Sequence, residues 1–227
     1  MESKYIHGIF KCELKNRFLC LVSIDDIDTI CYIPSSSRLE NFIDLQGKEV
    51  LLVPTESKTA RTKYAVYAIK KKQNYIILNT SVPNKVIDRE IHNRRFSFLG
   101  KRKNVSREKR INEYKCDLFI EDTQTIVEIK SIITENSSAV FPAVHSDRAI
   151  SQLREISALL ENGYKAYYCF VSLNPYVKEI KINEQEKEFY ELFNECIGKG
   201  MLVSGVALEM KNEEPKIKSN VSVISRS

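Results

Sequence analysis

The chain has 227 residues, six scattered cysteines, 43% hydrophobic residues and a formal net charge of +5, enough for one large or two small cores. No CxxC pair occurs, which excludes the common zinc and thiol-redox spacings and leaves reduced, buried thiols of a cytoplasmic protein as the expectation. The start MESKYIHGIF lacks a basic-then-apolar leader, and no stretch of about 18 apolar residues follows, so neither secretion nor a membrane partner is expected.

In chain order, residues 8–79 read as all-β. GIFKCEL, RFLCLVSI, IDTICYI, KEVLLVP, TKYAVYAI and NYIILN are short runs rich in Val, Ile, Tyr and Phe, separated by turn residues such as Asp25-Asp26 and Gln46-Gly47. Short strands at this spacing predict a small closed barrel of OB type, because closure removes exposed edges. The barrel domain is assigned to 1–79. Within it, Arg38 follows Ser35, Ser36 and Ser37, and Arg61 and Lys63 open a later strand beside Tyr64. Hydroxyls and cations of this kind hold phosphates, and a tyrosine can stack on a base; a capped turn and a core tyrosine are the plain alternatives.

A second domain is assigned to 80–211. PNKVIDREIH, 83–92, fits a short helix with Pro in its first turn and an apolar stripe of Val86, Ile87 and Ile91. Phe96 and Phe98, two apart, mark a short strand. Between Arg94 and Arg110 lie eight cations, among them Arg107 and Arg110, opposed only by Glu108. Such a run suits a phosphate backbone, whose condensed counterions are released on neutralisation, and equally suits a solvated loop.

Residues 114–131, YKCDLFIEDTQTIVEIKS, alternate with a period of two on either side of Asp122-Thr123, which predicts a half-buried hairpin with a two-residue loop. That register pairs Leu118 with Val127 and sets Asp117 opposite Glu128, with Lys130 two positions along on the same face. Two carboxylates at cross-strand distance repel by about 3 kcal/mol at an effective dielectric of about 20. Either a raised pKa or a cation relieves this, and Mg²⁺ or Mn²⁺ with oxygen ligands fits, as in phosphodiester hydrolysis. Glu-x-Lys alone carries no weight, since it recurs at Glu13/Lys15, Glu179/Lys181 and Glu209/Lys211; the flanking alternation and the matching acid distinguish Glu128/Lys130. A solvated face with a cross-strand charge pair is the alternative.

A polar loop then leads to the helix DRAISQLREISALLENG, capped by Ser146 or Asp147 and ended by Gly163. Arg148 and Gln152 lie on its polar side, where Arg148 can contact a phosphate and Gln152 a water or a base. KAYYCFVSL reads as a strand buried on both faces, 184–197 as a helix and MLVSGVALEM as a last strand. Residues 212–227 lose apolar periodicity and read as a flexible tail.

The Asp117, Glu128, Lys130 spacing resembles the PD-(D/E)XK nuclease motif. The longer pieces RFLCLVSIDDIDTICYIPSSSRLENFI, ARTKYAVYAI, TSVPNKVIDREI, YKCDLFI with VEIKSI, and AVFPAVHSDRAISQLREI resemble, in order, the sugar fermentation stimulation protein (SfsA) family. The resemblance implies an α+β chain: an OB-like barrel followed by an α/β PD-(D/E)XK restriction-endonuclease-like domain. It implies metal-dependent cleavage of DNA or RNA with Asp117, Glu128 and Lys130 catalytic, an additional metal-binding acid at Glu90, and Arg61 and Lys63 as a basic strand opening. The Ile129 carbonyl is a further candidate ligand. It equally implies a non-catalytic, nonspecific DNA-binding regulator of sugar metabolism that keeps the scaffold. The chain departs from the family at Ser35, Ser36 and Ser37, where Asn and Gly are usual, and at Gln152, where a His is usual.

Overall fold

The computed structural model describes residues 4–16, 18–34, 39, 42–55 and 60–225. Arg38 and the three serines before it lie outside the described residues. The first six strands are β1 (Ile6–Glu13), β2 (Leu19–Ile24), β3 (Ile27–Tyr32), β4 (Glu49–Pro54), β5 (Tyr64–Lys71) and β6 (Asn74–Ile77), joined in the order β3-β2-β1-β4-β5-β6. A further pairing of Tyr32 with Ala65 joins β3 to β5 and closes the barrel. Closure follows from alternation: Phe10, Cys20, Val22, Cys31, Val50, Leu52 and Val66 all point inward and are buried together.

The rest of the chain wraps an eight-stranded mixed sheet. After helix α1 (Val82–Glu90) come β7 (Val105–Arg107), a two-stranded ribbon of β8 (Arg110–Ile111) and β9 (Tyr114–Lys115), then β10 (Leu118–Ile120), β11 (Thr125–Ile132) and β12 (Ser138–Phe141). Helix α2 (Asp147–Glu161), β13 (Lys165–Ser172), β14 (Glu179–Ile182), helix α3 (Lys187–Gly198), β15 (Leu202–Lys211) and β16 (Glu214–Ile224) complete it. The sheet order is β12-β14-β16-β15-β13-β11-β10-β7. On one face α1 covers Leu118, Val127, Ile129 and Val206; on the other, α2 and α3 cover Phe119, Ile126, Tyr168 and Phe170. Both faces are therefore apolar, which is why β13 reads as an unbroken hydrophobic run. Among the described residues no helix is long and apolar enough to cross a membrane.

Four expectations need correction. The 114–131 hairpin is central, not half-buried: Thr125 to Ile129 are all buried, because β11 pairs in parallel with β13 on its other side. Its loop is longer than two residues, since Ile120 pairs with Thr125, although Leu118 does pair with Val127. Phe96 and Phe98 lie in a 3₁₀ turn, Arg94–Leu99, not a strand; Phe96 packs beneath it and Phe98 stacks edge-on against Tyr167. The tail from 212 is largely β16, paired antiparallel with β15 and in parallel with β14. Its apolar residues are split between faces, Ile217 toward the α1 side and Val221 and Val223 toward the α3 side, across a bulge opposite Ala207 and Leu208.

The two units are joined by main-chain and side-chain bonds. Ile77 N donates to Leu173 O at 3.0 Å, Met210 N donates to Asn74 Oδ1 at 3.1 Å, and Lys48 pairs with Glu135 at 2.6 Å.

Candidate active site

Asp117 stands just before β10, where the strand begins to pair with β11. Its carboxylate takes up main-chain bonding there: Oδ2 accepts from Ile129 N at 2.7 Å, and Oδ1 accepts from Asn84 Nδ2 of α1 at 2.8 Å. Glu128, on the buried strand β11, is only 3% exposed. Its Oε1 accepts from Lys130 Nζ at 2.6 Å and from Gln152 Nε2 at 2.8 Å, and its Oε2 accepts from the Tyr114 hydroxyl. Lys130 also donates to Gln152 Oε1, and its ammonium lies 5.7 Å from the centre of the Tyr168 ring. Lys130 and Gln152 thus form a closed triangle with one oxygen of Glu128.

Burial raises the Asp117 carboxyl above the ordinary carboxylate range and the charge of Glu128 adds to it, against the opposing pull of the Ile129 amide, Asn84 and Lys130. Burial, then the charge of Glu128, drives the Tyr114 phenol far above its ordinary value, so that it remains a donor. The two acids lie at the floor of an open cleft of about 740 Å³ that also takes in Asn84, Lys130, Arg148 and Gln152. Ser146 caps α2 by accepting from Ala149 N at 3.2 Å, so the helix start faces the same cleft.

The chemistry of this donor set suits a hard divalent cation. Two oxygen-donor carboxylates, one of them made reluctant to ionise by the other, gain from a cation placed between them, and space remains for water and phosphate oxygens. Among the described residues no group of three or more His, Cys, Asp or Glu gathers into a metal-binding cluster.

The structure brings Asp117, Glu128, Lys130, Gln152 and Arg148 to one cleft. It does not bring Glu90 there: that side chain is held by Arg89 at 3.2 Å and by Asn93 near the far end of α1. The α1 residue that faces Asp117 is Asn84, two turns earlier, and a search for a third acid passes over an amide. Tyr114 was also missed; only its buried position behind the acids reveals it. Arg107 pairs through Nε with Asp88 at 2.8 Å, Arg110 lies 3.9 Å from the exposed Glu113, and neither lines the cleft. Arg61 and Lys63 are exposed on the barrel, with Lys63 Nζ 5.2 Å from the Tyr64 ring centre.

Residues 13–78 match the family model described as the SfsA N-terminal OB domain, and residues 81–214 match the sugar fermentation stimulation protein RE domain. A sugar fermentation stimulation protein homolog of Caldanaerobacter subterraneus subsp. tengcongensis is 27% identical over 228 residues, covering 99% of both chains. One from Ruminiclostridium cellulolyticum is 26% identical, covering 91% of each. A solved structure described as Pyrococcus furiosus SfsA in complex with Ca²⁺ shares the fold at a TM-score of 0.80, with 22% identity over 98% of this chain and 96% of that one. With an OB barrel followed by a domain matched along nearly its whole length, the chain belongs to the sugar fermentation stimulation protein (SfsA) family.

Proposed function

We propose that the chain is a cytoplasmic, metal-dependent phosphodiesterase that cuts nucleic acid, DNA before RNA, with Mg²⁺ or Mn²⁺ held by Asp117 and Glu128. The observation that carries this reading is the convergence of two carboxylates and the Lys130 ammonium at the floor of one open cleft. The solved relative described as a Ca²⁺ complex supports an affinity of this fold for hard divalent cations. When bound, such an ion supplies Lewis-acid stabilisation of phosphate charge and eases deprotonation of water.

The chain's own residues do the rest. Lys130, fixed between Glu128 and Gln152, presents a positive charge where negative charge develops on the phosphate in the transition state. Gln152 keeps that ammonium and the Glu128 carboxylate in one geometry. Asn84 and the Ile129 amide do the same for Asp117. Arg148 and the start of α2 provide the donors for a neighbouring phosphate. No histidine base is needed, and His7, His92 and His145 are bonded elsewhere.

A second reading has its own support. Glu90 stays away from the acid pair, and a two-acid site with every carboxylate oxygen already bonded also suits a scaffold that binds DNA without cutting it. Incubation of plasmid, single-stranded DNA and RNA with Mg²⁺, Mn²⁺ or EDTA separates the two. We expect cleavage that EDTA abolishes and that Glu128→Ala or Lys130→Ala reduces by about a hundredfold or more. Cleavage unchanged in either variant rejects the residue assignment, and binding without cleavage in every metal establishes the second reading.

A further inference from the structure

Resting on the reading that nucleic acid occupies the cleft, we infer that its ligand is a single strand, whose unpaired bases lie against an apolar wall and continue onto an aromatic pair on the barrel. The wall is the stretch leading from β11 through β12 toward α2. Ile133, Val140, Phe141, Pro142 and Val144 line the cleft here, together with Phe42 from the barrel domain. Val140 is 48% exposed and Val144 64% exposed at the mouth. A duplex meets a protein first with phosphates and has little to offer such a surface, because its bases are stacked inside. A single strand presents apolar base faces that stack or pack without regard to sequence.

The charges agree. A duplex is gripped by an open field of cations, and the basic run does not place one in the cleft: none of its eight cations lines it, and only Arg94, Arg95, Arg102 and Lys103 lack a carboxylate partner among the described residues. Lys101 pairs with Asp122, Arg107 with Asp88, Lys109 with Glu121 and Arg110 with Glu113. Arg148 lines the cleft and has no carboxylate partner among the described residues.

The wall is continuous with the barrel. Thr80 and Ser131 both line the cleft; Ser131 Oγ donates to Thr80 O at 3.5 Å, and Thr80 Oγ1 donates to Pro34 O at 3.3 Å. Pro34 lies two residues beyond Tyr32, whose ring stacks on Phe18 with centroids 6.4 Å apart and planes at 20°. Tyr32 pairs across the barrel closure with Ala65, next to Tyr64 and the exposed Lys63. The other end of β3 is the acidic turn Asp25-Asp26 beside Ile27. A strand leaving the cleft past Thr80 and Pro34 therefore meets the aromatic pair and Lys63.

The test is fluorescence anisotropy in EDTA, where nothing is cut, with a labelled short oligothymidylate and a labelled hairpin duplex. We expect the wild-type chain to bind the single strand at least about tenfold more tightly than the duplex. Val144→Asp and Tyr32→Ala, both at exposed positions, should each weaken the single strand by about tenfold with the melting temperature unchanged. Ile27→Ala at the acidic end should change nothing. Equal or tighter duplex binding, no binding of either form, or single-strand binding unaltered in both variants overturns the inference, as does self-association through this face that single strands fail to dissolve. A parallel incubation with Mn²⁺ separates this from the activity: single strands bound but never cut leave the ligand class standing and remove the nuclease, whereas duplex cut in preference, with Val144→Asp indifferent, does the reverse.

Discussion

Asp117 carries a cost that a proton, or a cation bound beside it, would remove. Its carboxyl is raised by burial and by Glu128, so the folded chain holds that proton more tightly than the unfolded chain does. Below the ordinary aspartate range both states are protonated and nothing is lost. As pH rises through the ordinary value and up to the raised one, ionisation disfavours the folded state, and above that the deficit is constant. Asp117→Asn, with the Asn84 amide turned so that its oxygen meets the new NH2, should therefore raise the Tm of the cation-free protein at neutral pH and change it little at pH 3.5. Added Mg²⁺ should raise the wild-type Tm and leave the variant unmoved; calorimetry with and without the ion checks both arms. A wild-type Tm indifferent to Mg²⁺ and Mn²⁺ would remove the metal assignment. The three charged members of this site were legible in the sequence because alternation sets their faces. Asn84 and Tyr114 were not: Asn84 is an amide on another element, 33 residues from Asp117, and Tyr114 reads in the strand pattern as a plain aromatic whose hydroxyl has no visible partner.

Strands were most readable where one face is apolar and the other wet. β1, β2 and β3 follow that rule, whereas β4, β5 and β6 bury adjacent residues because Tyr5, Tyr67 and the second domain cover their outer faces; the observed spans of all six lie within a few residues of the runs of Val, Ile, Tyr and Phe. β16 broke the rule. Its hold on the fold is main-chain bonding to β15 and β14, which side-chain pattern does not report, and its few apolar residues change face at the bulge. β12 and β14 were lost for a related reason: each is four residues long and is held by parallel pairing to a strand distant in the chain. The place where β16 crosses β15 is tight: a Cβ on Gly205 would stand 2.8 Å from Val221 O and 3.2 Å from Val221 Cβ. The carbonyl oxygen is backbone and the Cβ is fixed directly to it, so neither can swing aside. Gly205→Ala should therefore cost about 1–3 kcal/mol, read from the urea midpoint at unchanged m-value. A variant as stable as the wild type would show that β16 is loosely held and that the tail reading was the better one.

At the scale of the whole molecule, the barrel and the mixed sheet act on one cleft. Ile77, on the last barrel strand, packs in the α1-side core of the second domain, and Phe42 of the barrel domain lines the wall beside the acids. What composition concealed is how the positive charge is spent. The net +5 and the run of eight cations before Asp117 look like a phosphate-binding surface in the sequence, yet in three dimensions four of them, Lys101, Arg107, Lys109 and Arg110, each have an acid within reach and none of the eight lines the cleft. The cations with no carboxylate partner among the described residues near the path proposed for the strand are Arg148 in the cleft and Arg61 and Lys63 on the barrel. Each phosphate neutralised on a single strand contributes about −0.7 to the slope of log K against log salt, and on a duplex about −0.9. Three such cations on a single strand predict a slope of roughly −2, whereas a basic run fully engaged on a duplex would approach about −7. Anisotropy titrations with the single strand across a range of KCl concentrations in EDTA measure this directly. Arg148→Ala should flatten the slope by somewhat less than one, while Arg107→Ala, whose guanidinium is committed to Asp88, should leave it where it was. A steep slope that falls on removing Arg107 would mean that the ion pairs open on binding, and that the basic run grips the backbone after all.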